Sequence, residues 1–154
     1  MSVYVFALLI GVVAGLRAMT APAVVSWAAR LGWLPLQSTP LAFLGYAVTP
    51  YIFTVLAIVE LITDQLPKTP SRTVPVQFGT RVVVGGLCGA AIGAAHGGLT
   101  GGLIAGVVGA VIGTLGGAKA RAALANAFGR DLPAALIEDV VAIVGAVVIV
   151  MTAG

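Results

Sequence analysis

The sequence has one cysteine (Cys88), one histidine (His96), and charged residues at only 8% of its 154 positions. A single cysteine excludes an intrachain disulfide and any site built from several thiolates. Soluble domains carry roughly 25% charged residues, so the shortage of charge argues against a soluble fold. Met1 to Leu9 contains no basic residue, and no small-residue cleavage pattern closes a short apolar run there, so no cleavable leader is expected. No nucleophile–base pair stands out. Gly113 to Lys119 has the outline of a phosphate loop, but Ala118 stands where that loop needs Gly and Ala120 where it needs Ser or Thr. The chain is therefore expected to be neither an enzyme nor the holder of a cofactor or metal.

What the sequence does have is apolar length and glycine: 60% hydrophobic residues, 21 glycines and a mean hydropathy of +1.13. A spanning helix needs about 20 apolar residues. Five candidates follow in order: Val3 to Trp27, Leu41 to Leu66, Val76 to Ala95, Thr100 to Leu124 and Pro133 to Met151. The expected fold is all-α, a polytopic membrane helix bundle forming one domain over residues 1–154. Its first helix pair covers 3–66, a linker span 76–95 and a second pair 100–151. Pro22 lacks an N–H for the helix ladder and predicts a kink or break near Ala18. His96-Gly97-Gly98 predicts a turn, because one helix through the whole glycine-rich region would be about 50 Å long, against a hydrocarbon core of about 30 Å.

The glycines recur at helical spacing. Gly85, Gly89 and Gly93 fall four apart, followed by Gly102, Gly106, Gly109, Gly113 and Gly117. Such a ridge lets helix backbones approach closely inside a membrane. It predicts tight packing of the third and fourth spans and glycine-lined contacts in a homo-oligomer, a dimer or trimer.

A weak internal repeat is also present. Leu9 to Ala18 reads LIGVVAGLRA and Val111 to Ala120 reads VIGTLGGAKA; VLAIVE from Val55 is matched by VVAIVG from Val140. With one span between the halves, the two pairs would be inserted in opposite directions, a 2+1+2 inverted repeat of the kind found in transporters.

The few charges are therefore informative. Arg17 falls inside the first span, where an unpaired cation costs roughly 3 kcal/mol or more. It can pair structurally, bind a substrate or lipid headgroup, or snorkel to the interface. Glu60, Asp64, Glu138 and Asp139 lie toward one end of the second and fifth spans, with Arg81, Lys119 and Arg121 at similar depth. They can close that side as a charge network or relay a proton or cation. Arg17 is expected in the opposite half, facing a polar cavity with Glu60 or Asp139 across it.

The eight Lys and Arg residues and a pI of about 9.5 then bear on orientation rather than nucleic-acid binding. Lys68, Arg72 and Arg130 share one side in a five-span reading. The positive-inside rule gives a cytoplasmic N-terminus and an external C-terminus in an inner membrane. Trp27 and Trp33 flank the first loop, where an aromatic belt is expected.

Gly-Leu-Arg-Ala at Gly15 to Ala18, Glu60-Leu-Ile-Thr-Asp64 followed by Pro67, the glycine-rich middle, and Ile137-Glu138-Asp139 together resemble the bacterial DUF4126 family of small membrane proteins. The resemblance covers most of the chain and implies a polytopic membrane protein. It brings no activity that transfers residue by residue. The residues themselves point first to a small transporter or channel-like protein for a small solute or ion. A non-transporting structural, lipid-binding or partner-binding subunit is the alternative. The expected partners are membrane lipids and further copies of the chain.

Overall fold

The computed structural model describes residues 3–33, 41–46, 48–63, 75–129 and 131–153. These form six α-helices: α1 (Val3–Leu16), α2 (Thr20–Arg30), α3 (Thr49–Thr63), α4 (Pro75–Ala95), α5 (Leu99–Phe128) and α6 (Asp131–Ala153). A single 3-10 turn, Ala42–Gly45, precedes α3, and no strand occurs among the described residues.

The first expected span is two helices. Pro22 is the third residue of α2, where its missing N–H costs nothing, because the first four N–H groups of a helix have no partner within it. Its ring would clash with the carbonyl four residues back if the helix ran on through Ala18. The α1 ladder ends with the Arg17 N–H on the Val13 carbonyl at 2.8 Å, and the α2 ladder begins with Ala23 on Met19 at 3.1 Å. The second expected span is also shorter than its apolar run, since α3 begins only at Thr49.

Glycine closes α2, α4 and α5. Gly32, Gly97 and Gly129 have φ of 84°, 82° and 73°, in the left-handed region that other residues avoid. After α4, the Gly98 N–H bonds the Gly93 carbonyl at 2.7 Å and the Gly97 N–H bonds Ala94 at 3.2 Å. That pair of bonds is a Schellman motif and turns the chain directly into α5. The same pattern follows α2, with Trp33 on Ala28 and Gly32 on Ala29.

The packing centre is α1, α4 and α5, which make the most extensive contacts in the chain. Their backbones touch. A Cβ on Gly89 would lie 2.7 Å from Gly106 Cα, and one on Gly93 would lie 2.9 Å from Gly102 Cα. A Cβ on Gly85 would lie 2.5 Å from that of Ala110. From α5, a Cβ on Gly102 would meet Gly93, one on Gly106 would meet Gly85 and Gly89, and those on Gly109 and Gly113 would meet Leu8 and Val12 of α1. Gly117 is buried further along α5. These contacts lie within one chain, with Gly85, Gly89, Gly93, Gly102, Gly106, Gly109 and Gly113 facing neighbouring helices of the same bundle.

The contacts fix helix directions. Gly85, Gly89 and Gly93 descend α4 against Ala110, Gly106 and Gly102 of α5, an antiparallel pair. Tyr4 meets Gly98 and Gly101, while Gly15 meets Ala110 and Thr114, so α1 and α5 run parallel. Against α6, Val13 sits by Gly145 and Arg17 by Glu138 and Asp139, so α1 and α6 are antiparallel.

Two expectations are corrected by these directions. The repeat segments Leu9–Ala18 and Val111–Ala120 lie on helices of the same direction, not inverted ones, and Arg17 is buried where its counterpart Lys119 is exposed. The start of α1 and the end of α6 lie at the same end of the bundle, not at opposite ends. The contacts of α1 with α5 and α6 show this directly.

Two helices are long and apolar enough to cross a membrane, over Phe78–Ala95 and Leu99–Leu124, while Val3–Leu16 and Thr49–Glu60 are shorter apolar helices.

Candidate functional site

The break between α1 and α2 frees backbone groups, and the structure supplies partners for them from α3, from α4 and from Arg17 itself. The N–H groups of Ala18 and Met19, which no α1 carbonyl receives, donate to the two carboxylate oxygens of Glu60 on α3, at 3.0 and 3.1 Å. The Gly15 carbonyl accepts from Arg81 Nη1 of α4 at 2.8 Å, and the Leu16 carbonyl accepts from Arg17 Nη1 at 3.3 Å. An interrupted helix is tolerable away from water only when its freed groups are satisfied in this way. Glu60 also places negative charge at the N-terminus of α2, where the helix dipole favours it.

Arg17 is fully buried. Its Nε donates to Asp139 Oδ1 at 2.5 Å, its Nη1 to Glu138 Oε1 at 2.8 Å, and its Nη2 pairs with Asp139 Oδ1. Glu138 and Asp139 are themselves buried on α6. A guanidinium cannot shed its charge, and its planar fork of donors suits two adjacent carboxylates. The expectation that Arg17 and the acids lie in opposite halves is overturned. It assumed parallel first and last helices; they are antiparallel, so the end of α1 meets the early turns of α6. From Val3 to Arg17 and from Asp139 to Ala153 the rise is the same, about 21 Å.

The remaining site candidates divide. Glu60 is half-buried at the break and joins the cluster; Lys119 is exposed on α5, five residues past Thr114. The Arg121 side chain and the whole of Asp64 lie outside the described residues. The sequence reading named Arg81 only as a charge at similar depth, whereas it is 3% exposed and holds the Gly15 carbonyl. It missed Thr20 and Thr114, whose buried hydroxyls have no hydrogen-bond partner among the described residues. The available signal was a hydroxyl alone within the Gly/Ala/Val run of α5, at the level where Gly15 abuts the Thr114 backbone.

Charge and apolar surface are inverted relative to a water-soluble protein. Arg17, Arg81, Glu138 and Asp139 are buried, while Ile52 and Ile62 of α3, Ile104 of α5 and Val140 of α6 are each at least half exposed. Charged side chains are almost never buried in water-soluble proteins unless paired. These features define an all-helical bundle that buries a charged cluster beside its apolar core and exposes large apolar side chains, with two helices of membrane-crossing length among the described residues. The chain belongs to the DUF4126 family: the model of that domain of unknown function matches residues 5–153. No curated protein and no solved structure matches it.

Proposed function

We propose that this protein is an integral membrane protein that passes a small ion or solute through the charged break between α1 and α2. The observation that carries the reading is Arg17, buried with two carboxylates at the end of a helix that stops short of a full span. Ionisable residues held inside a bilayer are costly and mark pathways and relays. Interrupted helices whose ends face one another near mid-membrane form the binding sites of many secondary transporters. The apolar outer faces of α3, α5 and α6 would meet lipid.

In this reading the chain crosses the membrane an even number of times, with both termini on one side. The end of the bundle that carries Lys119 and Arg121, at the close of α5, is then the cytoplasmic one by the positive-inside rule. No catalytic residue is assigned. Further copies of the chain would have to meet through faces other than the glycines of α4 and α5.

A second reading has its own support. Arg17, Glu60, Glu138 and Asp139 and the backbone groups freed at the break have partners within the chain, which suits a structural or partner-binding subunit whose charges pin helices in register. Purified protein in sealed vesicles separates the two. Current or solute flux above that of protein-free vesicles, abolished when Asp139 is changed to Asn, supports permeation. A folded protein that carries neither supports the subunit.

A further inference from the structure

We infer that the species bound at the break is a proton, held on Asp139 or Glu138 and exchanged through water ordered by the hydroxyls of Thr20 and Thr114. The inference rests on the permeation reading above and names its substrate.

Three features of the site converge on it. The first is what can reach the carboxylates. Arg17 is wholly buried and α1, α4 and α5 touch backbone to backbone beside it, so a hydrated ion or organic solute would have to prise the packing apart. A proton needs only a hydrogen-bonded file of waters. The second is the unpartnered polar atoms. Thr114 is fully buried and Thr20 is 4% exposed, and neither Oγ1 has a hydrogen-bond partner among the described residues. Buried polar groups left in that state take ordered water. A hydroxyl both donates and accepts, which is what a proton relay requires. The third is the donor set. Among the described residues no group of three His, Cys, Asp or Glu could hold a metal ion. Two adjacent carboxylates, Glu138 and Asp139, are instead bound to the Arg17 guanidinium, and a carboxylate oxygen can accept a proton without any change in that packing.

The charged groups facing the site come from each element around it: Arg17 at the break, Glu60 on α3, Arg81 on α4, and Glu138 and Asp139 on α6; α5 contributes uncharged Thr114. In the loading step a hydronium ion gives its proton to a carboxylate oxygen, forming one O–H bond and leaving a neutral water. Release is the reverse, and Arg17 keeps its charge throughout. Glu60, half-buried, is placed to pass the proton between the break and the bundle surface.

The test uses the full chain in vesicles holding a pH-sensitive dye, with a potassium gradient and valinomycin setting the voltage. The expected result is proton flux above that of protein-free vesicles. Thr114→Val, which keeps the shape and removes the hydroxyl, should cut the flux at least tenfold, and Thr114→Ser should restore it. Equal flux from Thr114→Val and the unaltered chain would remove the hydroxyl from the path and overturn the inference. Sodium or chloride flux without proton flux would overturn the proton assignment while leaving permeation standing. No flux of any of the three from correctly folded protein would sink the permeation reading itself. If Thr114→Val does not fold, Thr20→Val with Thr20→Ser serves as the paired test.

Discussion

Arg17 and Asp139 are 122 positions apart in sequence, and Arg17 Nε donates to Asp139 Oδ1 at 2.5 Å. With Glu138 they tie the end of α1 to the early turns of α6, beside the break between α1 and α2. The carboxylates that neutralise Arg17 are the same groups on which we propose the proton binds.

Removing one partner should cost more than removing all of them. Arg17→Met takes a buried cation away from two buried carboxylates and is expected to destabilise the protein by about 3–5 kcal/mol. Arg17→Met combined with Glu138→Gln and Asp139→Asn should recover much of that loss. Cys88 is the only cysteine and is fully buried, so its reaction with a thiol-reactive dye during heating reports unfolding without added labels. If the single and triple variants melt together, the ion pair does not hold α1 to α6.

Gly89 and Gly116 should respond in opposite directions. A Cβ at Gly89 would press on the α5 backbone at Gly106, so even Gly89→Ala must push α4 and α5 apart, and Gly89→Leu should prevent folding of the single chain. Nothing lies within 4 Å of a Cβ added at Gly116. Gly116→Ala should therefore be neutral or stabilise by up to roughly 1 kcal/mol through helix propensity. Thermal unfolding in detergent decides it, and a well-folded Gly89→Leu would disprove the close approach.

Glu60 should hold the break closed. Glu60→Ala leaves the Ala18 and Met19 N–H groups without their acceptor, at a cost of about 1–3 kcal/mol for each buried group so orphaned. Glu60→Gln keeps one carbonyl acceptor and should fall between. Hydrogen exchange at these two amides should speed up in the order wild type, Gln, Ala. Unchanged exchange in the Ala variant would mean that the break is capped by something else.

Both chain ends should emerge on the same side. With α1 and α6 antiparallel, alkaline phosphatase fused to either terminus should behave alike in bacterial cells. By the positive-inside rule it should be active at both, which marks the external side. Activity at one end only would restore an odd number of crossings.

The sequence by itself determined which segments become helices and where several of them stop. Apolar length, Pro22 and the glycines at 32, 97 and 129 act locally, through backbone dihedrals and missing donors, so they can be read without knowing any neighbour. The close packing of α4 on α5 was legible for the same reason, since a four-residue glycine spacing marks one helix face. Direction and partnership were not. Whether a break merely kinks a helix or separates two depends on whether other helices satisfy the groups it frees, here Glu60 and Arg81 from α3 and α4. Packing set α1 parallel to α5 and antiparallel to α6, and it brought Arg17 level with Glu138 and Asp139. Electrostatics required that Arg17 have an anion; only the tertiary structure decided which.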